Sequence, residues 1–333
     1  MLKADRVILH AFCATMTTVS NIHHKVSTDR GFDEPCGVAI GSFDGVHLGH
    51  QAIVRRVVEE SNRLGLKSRL LTFYPRPSEY FAPDKIMPSL MSWREKVYYL
   101  SGLGLDDVIC MPFNKGLSRL SAERFIQDIL IRGLNAKYLT VGADFRFGTC
   151  RVGDTELLKK VGIESGFNVE IAETQTYAYS RISSTRIRES LLQGDLKTAE
   201  LMLGRPYSLA GRVIRGNQLG RQMGVPTANV HLRRSRICVN GVYAVSARCE
   251  GEPLNGLANI GFRPTVDKLE KPLLEVHLLD YDGDLYGKQL EVELLYKIRG
   301  EQKFDSLQLL QQQILRDVEE ARSWHLGRTS SNS

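Results

Sequence analysis

The spacing of apolar positions changes once along this chain. From Gly37 to about Leu203, short apolar runs alternate with longer stretches of helical period. Val38 and Ile40 predict the end of a buried strand, and the polar run from His47 to Leu64 predicts the helix after it. A strand follows from Ser68 into the Pro-punctuated loop Thr72-Phe-Tyr-Pro-Arg-Pro77. Residues 92–103 predict a helix, Asp107–Met111 a strand, and Leu120–Gly133 a helix with Ser121 at its N-cap. Lys137–Gly142 is a further strand, 154–165 a helix and 167–171 a strand. This alternation predicts an α/β domain with a Rossmann-like parallel sheet and right-handed crossovers. Ligands bind such sheets at the carboxyl ends of strands, and His47, Pro75 and Asp144 all follow strand ends.

Near Gly204-Arg-Pro-Tyr207 the period becomes two. Ser208–Arg215, Gly241–Cys249, Leu273–Asp280 and Gln289–Ile298 alternate apolar and polar residues between Gly and Asp turns. They predict an antiparallel β-barrel. Leu307, Leu310, Ile314, Val318 and Ala321 form the core-facing stripe of a C-terminal helix. The expected division is an N-terminal extension at 1–36, partly disordered, an α/β domain at 37–203, a barrel domain at 204–326 and a tail at 327–333.

Composition narrows this picture modestly. At 333 residues, 25% charged and 42% hydrophobic, the chain has room for two ordinary cores. A net charge of +6 suits anionic small molecules and is too diffuse to indicate nucleic acid. The six cysteines form no C-x-x-C pair, which points to reduced thiols in a cytoplasmic protein. No apolar stretch approaches the roughly 20 residues of a membrane span, and no obligate protein partner is implied. Val7–Ala14 faintly resembles a signal peptide, but His10 and Asp5 interrupt the pattern. The extension reads instead as disordered or mis-assigned, with Met16 as an alternative start.

The strongest candidate chemistry is Gly41-Ser-Phe-Asp-Gly-Val-His-Leu-Gly-His50. Gly41 and Gly45 permit a tight strand-to-helix turn, and the helix N-terminus favours an anion. His47 and His50, three apart, fall on one face of the first helical turn. With Gly49 between them they suit a phosphate whose charge changes during reaction, as in nucleotidyl transfer. Two surface histidines, or a metal pair, would give the same spacing.

Arg181-Ile-Ser-Ser-Thr-Arg-Ile-Arg188 opens a helix that Ser183, Ser184 or Thr185 can cap, while Arg181 and Arg188 offer forks for phosphate. Alone, it reads equally well as a capped helix with solvated arginines. In the barrel region, Gly216, Gly220, Arg221, Gly224 and Pro226-Thr-Ala-Asn229 form a glycine-rich anion-binding run. Thr227 and Asn229 offer hard oxygens for Mg²⁺ carried by ATP.

Five segments together resemble the bifunctional prokaryotic riboflavin kinase/FMN adenylyltransferases, the FAD synthetases. They are the Gly41–His50 run, Thr72–Pro77, Gly142-Ala-Asp-Phe-Arg-Phe-Gly148, Ile182–Arg188, and Pro-Thr-Ala-Asn229 with Leu274-Glu-Val-His277 downstream. The resemblance covers residues 36 to about 325. Its departures are Ser42, Val225 and a long N-terminal extension.

It implies FMN made from riboflavin and ATP in the barrel, then FAD made from FMN and ATP in the α/β domain. Glu275 matches the family's catalytic base, although an exposed strand carboxylate would look the same. His47 and His50 would stabilise the α-phosphate. Ser184, Thr185, Arg181 and Arg188 would hold the β- and γ-phosphates. Gly41, Phe43, Asp44, Asp144 and Ser183 join the nucleotide- or flavin-binding candidates, as do Gly216, Arg221, Gly224, Pro226 and Asn229. Phe145 and Phe147 are equally readable as core. Two rivals remain: a nucleotidyltransferase with another acceptor, and a non-catalytic flavin-binding protein.

Overall fold

The computed structural model describes residues 21–24, 26, 31–216, 224–234, 236–263 and 271–330. Two compact units divide the chain: Met1–Met87 with Trp93–Ser183, and Pro88–Ser92 with Ser184–Ser333.

In the first unit the strands are β1 (Asn21–His23), β2 (Cys36–Ile40), β3 (Lys67–Tyr74), β4 (Asp107–Pro112), β5 (Ala136–Gly142) and β6 (Asn168–Ala172). They form one sheet in the order β1-β4-β3-β2-β5-β6 with every pairing parallel. Each residue of β2 is buried, as expected of a strand covered on both faces. Val38, Ile40, Leu71, Ile109 and Leu139 meet Phe125, Ile126 and Leu130 in the core. Each such side chain contributes about 1.5–3 kcal/mol on burial. The chain steps outward from β2 to β3 and β4, then returns to place β5 on the other side of β2. That reversal opens a crevice beyond the carboxyl ends of β2 and β5. The turns from Gly41 and from Gly142 emerge there.

One strand falls inside the predicted extension. Asn21–His23 pairs with Asp107–Ile109, and His23 Nε2 lies 3.0 Å from Asp107 Oδ1. The other oxygen of Asp107 accepts from the buried Arg69 at 2.9 Å. Met16 and Val7–Ala14 lie outside the described residues.

The second unit holds a closed antiparallel barrel in the order β10-β13-β12-β11-β14-β9. Its strands are β9 (Tyr207–Ile214), β10 (Ala228–Leu232), β11 (Gly241–Arg248), β12 (Leu254–Arg263), β13 (Lys271–Leu278) and β14 (Gln289–Arg299). A helix, Leu307–Ser330, packs Ala321 against Val242, Ala244 and Leu257. Arg299 forks onto Asp317 of that helix at 2.7–3.1 Å. The helix runs past residue 326, where the tail was expected to begin.

The units also divide differently from the change of period at 203/204. Helices Ser184–Gln193 and Leu196–Leu203 belong with the barrel, and the second packs on β9 and β14. The strap Pro88–Ser92 joins them: Arg188 donates to Pro88 O at 2.7 Å, and Arg234 to Leu90 O at 2.8 Å.

Candidate active sites

In the first unit, β2 ends at Ile40 and the chain must turn sharply to start the helix Leu48–Leu64. Phe43 and Val46 adopt left-handed φ values of 47° and 40°, with Gly45 at 90° between them. A left-handed valine is uncommon and is held only where the surroundings enforce it. Both non-glycine residues are fully buried, so packing supplies part of that enforcement.

His47 is the N-cap of the helix, and its Nδ1 accepts the backbone N–H of His50 at 3.3 Å. In the neutral ring this leaves the His47 proton on Nε2, as a donor. The two imidazoles stack, with centroids 3.6 Å apart and planes 17° from parallel. Burial, then His47, Lys96 and Arg181, push the His50 imidazole well below its ordinary pKa. His50 Nδ1 is buried and has no hydrogen-bond partner among the described residues. Gly49 lies against the His47 ring, where a Cβ would come within 3.2 Å.

Charged side chains brace this turn from below. Arg76 Nη1 donates to Asp44 Oδ2 at 2.5 Å, and its Nη2 to Glu79 at 2.6 Å and to Met87 O at 2.9 Å. Lys96 donates to Ser42 O at 2.6 Å. Asp44 therefore supports the turn through Arg76. Gly41 and Phe43 are likewise parts of its framework: a Cβ on Gly41 would meet the Phe43 ring at 3.2 Å.

From β5, Asp144 accepts from Arg181 at 2.7 Å, and that guanidinium holds the Asp144 carboxyl below the usual carboxylate range. Phe147 is core, stacked on the half-buried Phe145. Ser183 ends the first unit, whereas Ser184, Thr185 and Arg188 lie on the first helix of the second. Arg188 is buried there, with Nε on Pro88 O. A cavity of about 250 Å³ beyond β4 escaped the sequence reading; it is lined by Val26, Met111, Asn114, Leu117, Leu120 and Ile129. Its apolar residues belong to separate elements, so no local motif announces it.

The barrel gathers a second group. Glu275 on β13 is the cross-strand partner of Asn229 on β10 and of Asn259 on β12. Asn259 Nδ2 donates to Glu275 Oε2 at 3.5 Å, and His277 Nδ1 lies 2.8 Å from Pro226 O. Leu274, Val276 and Leu278 are buried on the opposite face, as period two requires. Gly216 covers Asn229 so closely that a Cβ would come within 2.5 Å of its amide. Glu275, Asn229, Pro226 and Gly216 are thus brought together, with Thr227 and Gly224 in the same loop. Arg221 and Gly220 lie outside the described residues.

A histidine turn over a helix N-terminus suits nucleotidyl transfer, and a carboxylate beside a Thr/Asn loop suits phosphoryl transfer to a hydroxyl. The two units therefore suit a bifunctional transferase, one nucleotidyl and one phosphoryl. Residues 29–186 match the FAD synthetase family model and 203–325 the riboflavin kinase model. The bifunctional riboflavin kinase/FMN adenylyltransferase of Escherichia coli (strain K12) is 47% identical over 310 residues, 93% of this chain and 98% of that protein. That of Pseudomonas fluorescens is 44% identical over 308 residues, 92% and 97% of the two chains. The crystal structure of a macrolide-efflux protein from Streptococcus pneumoniae superposes with a TM-score of 0.79 at 30% identity, covering 92% of this chain and all of that one. The chain belongs to the bifunctional riboflavin kinase/FMN adenylyltransferase family. Its activities are phosphorylation of riboflavin to FMN and adenylylation of FMN to FAD. Among the described residues no helix is long and apolar enough to cross a membrane.

Proposed function

We propose that each activity uses the residue group of its own unit. In the barrel, Glu275 takes the proton from the terminal ribityl hydroxyl as the γ-phosphoryl group is transferred. The observation that carries this is the alignment of Glu275 beside Asn229, under the Pro226–Asn229 loop. The Thr227 hydroxyl and Asn229 amide are hard oxygen donors, and Gly216 packs against that amide where no Cβ would fit. This set fits Mg²⁺ brought in with ATP, since Mg²⁺ takes few protein ligands and completes its shell with phosphate and water. When bound, the ion neutralises charge on the phosphates. Gly224 and Arg221 complete the phosphate loop by residue type.

In the first unit the FMN phosphate is already an anion, so a base is unnecessary. His47, through Nε2–H, and His50 donate to the α-phosphoryl group as charge builds on it. Arg181 exchanges Asp144 for the nucleotide phosphates, with Ser183 as a further donor by residue type. Cysteines 36, 110, 150, 238 and 249 are free thiols, which suits a cytoplasmic protein.

The test feeds each variant the substrate of each step. His47→Ala should lose FAD formation from FMN by about 10²–10³-fold and still convert riboflavin to FMN. Glu275→Ala should lose FMN formation by about 10²–10⁴-fold and still convert FMN to FAD. A single change that silences both steps in a folded chain would refute the two-site assignment.

A further inference from the structure

The buried charges beneath the histidine turn include one that the chemistry above does not use. Lys96 lies on the helix Trp93–Ser101 and is only 7% exposed. A long ammonium side chain is rarely this buried unless it is paired. Its Nζ donates to Ser42 O at 2.6 Å, one residue before the left-handed Phe43. The Thr72 hydroxyl reaches the same carbonyl at a longer 3.4 Å. Lys96 is therefore the stronger of two donors that fix the carbonyl at the start of the strained turn.

Lys96 faces Asp44 of the turn, Arg76 and Glu79 of the Pro-rich loop, and Cys110 of β4. Two cations and two carboxylates balance in this group. Without Lys96 the remainder carries one net negative charge, buried beneath a site that must accept triphosphate and FMN phosphate. Such a charge is poorly screened there.

We propose that Lys96 is a positioning residue for the adenylyl step, fixing the Ser42 carbonyl and cancelling the negative charge beneath the histidine turn. This rests on the assignment of His47 and His50 to that step. The histidines also record the charge. His50 is faced by His47, Lys96 and Arg181, and removal of one cation from that set raises the pH at which its imidazole protonates.

The experiment compares Lys96→Met, Lys96→Arg and His50→Asn in the full chain, with FAD formation from FMN, FMN formation from riboflavin, and NMR titration of the histidine rings. We expect Lys96→Met to lower kcat for FAD formation on the order of 10- to 100-fold, to leave FMN formation unchanged, and to move the His50 midpoint upward. Lys96→Arg should keep the wild-type midpoint and recover part of the rate. Wild-type FAD formation in Lys96→Met would overturn the proposal. So would equal loss in both Lys96 variants with an unmoved His50 midpoint, which is the mark of lost packing. His50→Asn separates the two levels: wild-type FAD formation in that variant refutes the site assignment itself. Its loss, beside an unaffected Lys96→Met, refutes only the role of Lys96.

Discussion

Arg76 shows how much of a candidate active site is support for other residues. Its guanidinium joins Asp44, Glu79 and the Met87 carbonyl, and its side chain is only 9% exposed. Removing one partner of a buried ion pair leaves the other charge uncompensated, at a cost of about 3–5 kcal/mol. Arg76→Met should therefore destabilise the first unit by roughly that amount, read as an earlier urea transition, and should abolish FAD formation. The motif around Arg76 was visible in the sequence, but its target was not. Asp44 is 32 positions away, and only the fold brings the two together. Lys96 escaped for the same reason, as its neighbours Trp93, Arg94 and Glu95 suggest an ordinary polar helix face. The setting of His47 was easier to read because it is local: cap, ring stack and helix N-terminus all lie within four residues.

Among the elements, two glycines mark where backbone must come close to a functional side chain. A methyl group at Gly49 would press on the His47 ring at 3.2 Å, and one at Gly216 would overlap the Asn229 amide at 2.4 Å. Gly49→Ala should lower FAD formation and spare FMN formation, whereas Gly216→Ala should do the reverse; steady-state rates for both steps check this. Both glycines stood out in the sequence as members of motifs.

Element type was readable wherever apolar periodicity was strong, as in β2, β13 and the closing helix. It missed β10 and β12 of the barrel, and it missed β1, whose Asn-Ile-His is short and polar. That strand is held by pairing with β4 and by the His23–Asp107 contact, and neither leaves a local pattern. The boundary at Gly204 follows the change of period. Packing instead assigns the two preceding helices to the barrel, because a helical period does not say which core the helix will cover.

For the whole molecule, acid should weaken both units. The pKa values of His50 and His325 are depressed in the fold, chiefly by burial, from an ordinary value of 6.5. Below 6.5 the unfolded chain binds protons that the folded chain refuses, so stability present above that pH is lost as pH falls toward the depressed values. Thermal melts stepped downward from pH 7.5 should show a decline beginning near 6.5, and His325→Gln should flatten the part that belongs to the barrel. On the proposed assignment each unit holds its own reacting residues, so the steps should fail independently.

The most direct trial of that independence uses the His47→Ala and Glu275→Ala chains, alone and mixed, with riboflavin, ATP and Mg²⁺, and products separated by chromatography. We expect the first chain to stop at FMN, the second to leave riboflavin unreacted, and the mixture to make FAD. Loss of both products in the folded His47→Ala chain, or a Glu275→Ala chain that converts riboflavin at the wild-type rate, would contradict two sites with separate chemistry.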